Sequence, residues 1–355
     1  MEAAMRAAAD VGRPVLDRID VLATPGILMI PRDNPATRVA EAIGIKPRRR
    51  ISCPVGGNTP QYLVEVLGAE IAVGRADCVL VVGAESGHSA RNVNGRKAIA
   101  APSPCEARDE ALGDARPGLS DVETSAGLRW PHEVYPMFES AIAARHGRDF
   151  STQRDWLGAL MAPFTQEAAR HPEQAWFAQA RTASELSDVR PNNRMVCEPY
   201  PKLLNSIITV DMGAAFLMVA AEVADKLGVP RDRWVFPWAA ASCNDVFYPV
   251  QRPDLSRSPG IRAAARHVLA RSGVAVDDLT WLDLYSCFPS AVQIAIDELD
   301  LDPADARGFT VTRGAALPRG SGKQLRHPLH RGDGSAVPTP TAGTWIDQRA
   351  RLVHD

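Results

Sequence analysis

The chain has 355 residues, of which 45% are hydrophobic and 23% charged, and a net charge of −2 at neutral pH. That length suits two domains or one large duplicated unit, and near-neutrality gives no reason to invoke nucleic acid or a membrane surface. No apolar run reaches the roughly 18 residues that span a bilayer; the N-terminus lacks the basic and apolar regions of a signal peptide; and Cys53, Cys78, Cys105, Cys197, Cys243 and Cys287 form no C-x-x-C pair, which reads as a reduced cytoplasmic protein.

Met1 to Val11 reads as an alanine-rich helix, Ile19 to Leu22 and Ile27 to Ile30 as strands, and Pro35 to Ile43 as a helix. Val55 to Ser86 then reads as loop, buried helix, polar turn, buried strand and a glycine/acid exit. Its helix carries Leu63, Val66, Leu67, Ala69, Ile71 and Ala72 with little polar interruption, the pattern of a helix surrounded by protein. Cys78 to Val82 is a continuous β-branched run, as in a central parallel strand. Ser89 to Arg194 changes character, with prolines, charges, tryptophans and short helices such as Trp156 to Ala169. It reads as an excursion off the sheet that covers one face and lines a pocket entrance. Asp211 to Leu227 restores turn, apolar strand and helix. Trp234 to Ala240 reads as the first strand of a second half, Ile261 to Ser272 as a helix and Val274 to Leu279 as a loop. Leu282 to Phe288 reads as a short strand and Ser290 to Leu299 as a buried helix. The order implies α/β layers with internal pseudo-duplication.

Several of these residues carry a resemblance. Ala69, Ile71, Gly74, Asp77, Gly83 and Glu85 match the tail of the loop–helix–strand that bears the nucleophilic cysteine in thiolases. Counting back from Gly74 places Gly57 near the cysteine position, beside Asn58, Thr59 and Pro60. Asp211 to Ala215 is similar to the thiolase D-G-A-A-A strand. Asp283 to Phe288 (DLYSCF) lies where thiolases place Glu-Leu-Asn-Glu-Ala-Phe, with Tyr285 in place of the asparagine that holds a catalytic water and Ser286 in place of the acid. The chain resembles the thiolase superfamily over about residues 1 to 312. It is most similar to acetyl-CoA acetyltransferase-like proteins related to sterol-carrier-protein thiolases. The resemblance implies a duplicated α/β/α/β/α layered fold, incomplete at both ends. The N-terminal half would be 1–228, with the excursion at 89–194, and a partial C-terminal half 229–312.

Tyr285 and Cys287 are the candidate catalytic residues. Each has a second reading as a strand-end core residue, and a tyrosine there could donate to an enolate or thioester oxygen. No partner histidine marks Cys287 as a nucleophile. Gly57, Asn58 and Thr59 are candidate substrate-binding residues, through backbone N–H groups at a helix start; a tight turn with an Asn or Thr cap accounts for them as well. Asn205 sits where thiolases have a pocket-lining loop. His88, His132, His146, His171 and His267 show no metal-ligand spacing.

From Arg313 the text changes in kind, with little hydrophobic periodicity and many Arg, Pro, Gly and Thr residues, as in a disordered tail. Read one base out of phase, the codons of Gly322 to Gly334 permit G-N-N-Y-V-T-H-S-I-A-A-M, similar to the glycine-rich, histidine-bearing segment of thiolase-like proteins. A one-base frameshift immediately after Thr312 is the expectation, leaving His327, His330 and His354 without catalytic roles. The strand that normally precedes the first helix is likewise expected to be absent. Resequencing the locus for an intact downstream frame is the check.

The resemblance implies an acyl-CoA-handling, transferase-like protein of lipid or sterol metabolism, without the acyl-cysteine of thiolysis and with a CoA thioester as substrate rather than a bound cofactor. The alternative is a retro-aldolase acting on CoA thioesters of sterol side chains with an OB-fold partner. A third reading is an inactive fragment. A homodimer is the usual thiolase arrangement.

Overall fold

The apolar run Cys78–Val82 lies fully buried inside a mixed sheet. The computed structural model describes residues 1–29, 32–92, 108–172 and 175–311. Among the described residues the chain divides into two units, one of residues 1–115 with 208–237 and one of 116–207 with 238–311. Of the segment read as an excursion, the described residues up to 115 group with the first unit and 116–194 with the second. The frameshift reading from Arg313 onward lies outside the described residues.

The first unit opens with α1 (Glu2–Asp10), β1 (Val21–Thr24), α2 (Pro35–Ile43), β2 (Arg49–Ser52), α3 (Thr59–Ala72), β3 (Cys78–Ser86), α4 (Gly87–Asn92) and β4 (Glu110–Ala111). Helix α2 matches its expected bounds because its punctuation is local. Pro35 takes the first turn, and Gly44 at φ 75° closes the last in a left-handed conformation that a side chain would disfavour. Its free N–H groups are met from far along the chain. Asp109 accepts from Ala36 N at 2.9 Å, Thr37 N at 3.0 Å and Thr37 Oγ1 at 2.6 Å. The strand expected at Ile27–Ile30 is not formed over residues 27–29. The Glu85 carboxylate takes the N–H groups of Leu28 (2.5 Å) and Met29 (3.1 Å), donors that a ladder would need. β1 also starts two residues later than expected, since the Asp20 carboxylate is turned to Cys78 N (2.8 Å).

Residues 116–207 combine short helices with two long ones. They hold α5 (Asp121–Ser125), α6 (Pro131–Arg145), α7 (Phe150–Arg170), α8 (Ala183–Ser187) and the short pair β5 (Met195–Cys197) and β6 (Tyr200–Pro201). Helix α7 runs 21 residues. It begins before Trp156 because Asp149 caps it, accepting from Thr152 N at 2.7 Å. α7 and α8 meet closely at Gly158, where a Cβ would stand 2.4 Å from the Ala183 carbonyl oxygen.

The chain then returns to the first unit with β7 (Asp211–Val219) and α9 (Ala221–Lys226). The sheet order is β4-β2-β1-β3-β7. β3 is parallel to β1 (Val21↔Val79) on one side and antiparallel to β7 on the other, from Cys78↔Val219 to Ser86↔Asp211. A central strand with parallel neighbours was the sequence expectation; here only one neighbour is parallel, and β1 and β3 pair directly with no gap between them. Alternate residues of the sheet face opposite layers. Leu22, Cys78, Leu80 and Val82 pack with Ala4 and Ala8 of α1 and Ala36 and Ala40 of α2. Val21, Ala23, Val79 and Val81 pack with Leu63 and Leu67 of α3. Burial on both faces is why the strands are apolar throughout. Helix α3 is covered on one side only: Leu63, Val64 and Leu67 are buried, whereas Ala69 and Ala72 are exposed. Its apolar residues extend beyond the stripe that the sheet can cover.

The second unit continues with α10 (Pro259–Ser272) and the buried helix α11 (Pro289–Glu298). The strands expected at Trp234–Ala240 and Leu282–Phe288 are not formed. Over 234–240 no ladder partner exists among the described residues, and Phe236 and Trp238 stand 61% and 53% exposed. Over 282–288 the pairing shrinks to Leu284 N donating to Phe309 O at 3.0 Å, with Val311 N held by Asp283 Oδ1 at 3.2 Å.

Candidate functional site

Helix α6 supplies one wall of the site in the second unit. Pro131 suits its first turn, and Glu133 folds back to accept from Arg129 N (2.7 Å) and Trp130 N (2.9 Å). Residues 135, 139 and 142 then recur on one face. Glu139 and Ile142 are fully buried, and Tyr135 is half-buried against the same core.

The segment Tyr285–Phe288 forms the opposite wall and leads into α11 at Pro289. The Phe288 ring stacks on Tyr135 with centroids 4.3 Å apart and planes 13° from parallel. It also tilts against Tyr200 at 5.8 Å. Tyr135 and Tyr285 pack against the same apolar cluster that holds the buried Cys287. Burial pushes the Cys287 thiol up to about 11, against the lowering effect of the neighbouring Tyr135 and Tyr285. Burial, reinforced by the neighbouring thiol, pushes both phenols well above their ordinary range. All three groups therefore stay protonated at neutral pH, so the cluster is a set of hydrogen-bond donors rather than a nucleophile with its base. Of the two residues singled out in the sequence, Tyr285 is half-buried and Cys287 buried. Tyr135 was not foreseen.

Behind this wall lies a polar core. Glu139 Oε1 accepts from Gln153 Nε2 (2.5 Å) and Gln293 Nε2 (2.8 Å), and Oε2 from the Tyr200 hydroxyl (2.5 Å) and Gln293 Nε2 (2.9 Å). Burial raises the Glu139 carboxyl above its usual range, against the lowering effect of its donors. The network ties α6, α7, β6 and α11 through one side chain. Glu139, Gln153 and Gln293 were not singled out in the sequence. The signal that could have found α6 was Pro131 followed two residues later by Glu133.

The other expected site residues are placed differently. Gly57 and Asn58 are exposed at the start of α3 in the first unit, and Thr59 is buried. Asn58 makes no side-chain cap bond, Thr59 Oγ1 turns to Pro54 O (3.4 Å), and Thr59 N is engaged by Gly56 O at 3.1 Å. Pro60 offers no N–H, so the start of this helix is a tight turn with few donors aimed outward. Asn205, in the second unit, is buried, and its amide nitrogen donates to Pro201 O at 2.9 Å. It closes a turn of the backbone, and its Oδ1 lacks a partner among the described residues.

No family model matches the chain, and no curated protein matches it. Solved structures do. A monomeric SCP2-thiolase-like protein type 1 from Mycobacterium smegmatis matches with a TM-score of 0.71 and 28% identity over 90% of this chain. The chain has a thiolase-like fold. It spans 64% of the length of that mycobacterial protein. The Ltp2-ChsH2(DUF35) aldolase matches this thiolase-like chain with a TM-score of 0.65 and 20% identity, over 89% of this chain and 78% of its own. Human mitochondrial 3-ketoacyl-CoA thiolase matches with a TM-score of 0.57 and 17% identity, over 90% and 82%. At those lower identities the likeness is one of fold.

Proposed function

We propose that this thiolase-like chain handles acyl-CoA thioesters by hydrogen-bond and proton chemistry, without an acyl-cysteine intermediate. The observation that carries this reading is that Cys287 is buried in the cluster against which Tyr135 and Tyr285 pack, where burial keeps it a neutral thiol. A thiolysis site needs a thiolate; this site offers donors to an oxygen that gains charge. The start of α3 supports the reading, because Gly57, Asn58 and Thr59 stand there and the nearby Cys53 thiol is pushed up to about 11 by burial. CoA is the ligand of one structurally similar human thiolase.

The phenols favour a second reading as well, retro-aldol cleavage of a 3-hydroxyacyl thioester with an accessory partner protein. There Tyr285 would donate to the thioester oxygen as the enolate forms. The similar aldolase is itself a two-protein assembly.

Two assays separate the readings. Purified protein with acetoacetyl-CoA and free CoA is expected to bind the thioester calorimetrically and to release no acetyl-CoA. Thiolysis that disappears in Cys287→Ala overturns the proposal. Cleavage of a 3-hydroxyacyl-CoA in the presence of a DUF35-type partner, lost in Tyr285→Phe, selects the lyase reading. Light scattering of the same sample tests the homodimer.

A further inference from the structure

We infer that Glu139, Tyr200 and Ser290 form a buried two-position proton relay, in which uptake of one proton from solution turns the Tyr200 hydroxyl from Glu139 to Ser290 Oγ and resets the start of α11. The inference is independent of the acyl-thioester reading above. It gives a role to a buried carboxyl and a buried hydroxyl that the reading leaves unused.

The hydrogen bonds described for the Glu139 carboxyl are all donations to it, from Gln153 Nε2, from Gln293 Nε2 and from the Tyr200 hydroxyl at 2.5 Å. Those are the surroundings of an ionised carboxylate, which only accepts. The Tyr200 oxygen in turn accepts from Ser290 N at 3.3 Å. The phenol thereby serves the first turn of α11, whose N-terminal neighbour Phe288 makes no side-chain cap bond. Ser290 Oγ is fully buried and, among the described residues, has no hydrogen-bond partner. A buried hydroxyl without a partner is unfavourable and calls for an explanation. A serine in a gauche rotamer carries Oγ beside its own backbone nitrogen, and here that nitrogen already contacts the phenol oxygen.

Protonation of Glu139 supplies the second position. Of the groups bonded to the carboxyl, only the Tyr200 oxygen has lone pairs to accept the new O–H. The phenol's own hydrogen must then leave that line, and Ser290 Oγ is the unused acceptor next to it. One proton enters, one carboxylate charge is lost and no bond between heavy atoms changes. The charged and titratable groups facing Glu139 are the Tyr200 phenol of β6 and Arg148 before α7, whose Nη1 donates to Gln153 Oε1 at 3.1 Å. Helices α7 and α11 present the uncharged amides of Gln153 and Gln293. Burial favours proton uptake against these donors, so the relay turns above the ordinary carboxylate range. The change is passed to residues 285–288 because Ser290 follows Phe288 by two positions, and the Phe288 ring lies against Tyr200 and Tyr135.

The test titrates the carboxyl itself, by infrared difference spectroscopy of the full chain from pH 4 to pH 8. The readout is the C=O stretch of a protonated carboxyl that is present in wild type and missing in Glu139→Gln. Ser290 Oγ gains a partner only in the protonated state, so Ser290→Ala is expected to weaken proton uptake about threefold or more and to move the midpoint to lower pH. In a Tyr200→Phe background the link is cut, and the same Ser290→Ala change should leave the midpoint where it was. Ser290→Cys, a weaker acceptor of similar size, is expected to shift the midpoint in the same direction by less, and it serves should the alanine variant not fold. Three results overturn the relay: no titrating band assigned to Glu139, a midpoint unmoved by either change at 290, or a shift that persists undiminished without the Tyr200 hydroxyl.

Discussion

Tyr135 and Phe288 lie face to face, with ring centroids 4.3 Å apart, and so join helix α6 to the entry of α11. Stacked aromatic pairs add about 0.5–1.5 kcal/mol to what area burial provides. Phe288→Ala removes that pair and the contact with Tyr200, and leaves a cavity in the core of the second unit. The expected loss is about 3–5 kcal/mol in urea unfolding. A loss under about 1 kcal/mol would mean that the site collapses around the gap.

Glu139 should make stability depend on pH. Burial raises its carboxyl in the folded protein, so the folded state holds the proton more tightly than the unfolded chain. Its contribution is therefore complete below the ordinary carboxylate value of about 4.3 and is lost as pH rises through the raised folded value. Glu139→Gln abolishes this titration. Urea midpoints measured from pH 4 to pH 8 should fall more steeply for wild type than for the variant; parallel curves would dismiss the effect.

Gly158→Ala sets two effects against each other. Alanine gains up to about 1 kcal/mol of helix propensity. The new Cβ would stand 2.4 Å from the Ala183 carbonyl oxygen and 3.1 Å from Ser187 Cβ. Backbone cannot yield as a flexible side chain does, so the clash wins, with a net cost of about 1–3 kcal/mol. A lowered melting temperature is the expected result, and an unchanged or higher one counts against the close crossing of α7 and α8.

Thiol alkylation should follow burial. Cys243 is exposed, whereas Cys53, Cys78 and Cys287 are buried with thiols pushed up to about 11, about 12 and about 11. At pH 8 a thiol of that kind is thiolate in no more than about one part in a thousand. Iodoacetamide labelling of the folded protein, followed by peptide mass spectrometry, should modify Cys243 well before those three. Early labelling of Cys287 would contradict its neutral state.

The legible parts of this chain are those whose signals are local. Pro35 and Gly44 bracket α2, and the run Cys78–Val82 marks a strand covered on both faces. What escaped depends on distant partners. Trp234–Ala240 has strand-like residues, yet a strand exists only where a neighbour takes its hydrogen bonds. Leu28 and Met29 look strand-forming until Glu85, far along the chain, takes their N–H groups. Tyr285 and Cys287 could be picked out by sequence position, whereas Tyr135 sits on a helix whose inner face is interrupted by Pro136 and Glu139. Nothing in a local window says that a glutamate is buried when its donors come from residues 153, 200 and 293.

The pairing of β3 with β7 has a consequence for synthesis. Ser86 has left the ribosome long before its partner Asp211 is made, and at roughly 5–20 residues per second that interval lasts on the order of ten seconds. During it, one edge of β3, including the apolar Cys78–Val82, has no strand beside it. Such an edge invites pairing with other nascent chains. The pace of elongation therefore sets how long each new molecule is exposed to aggregation, and faster translation of residues 87–210 should raise the soluble yield.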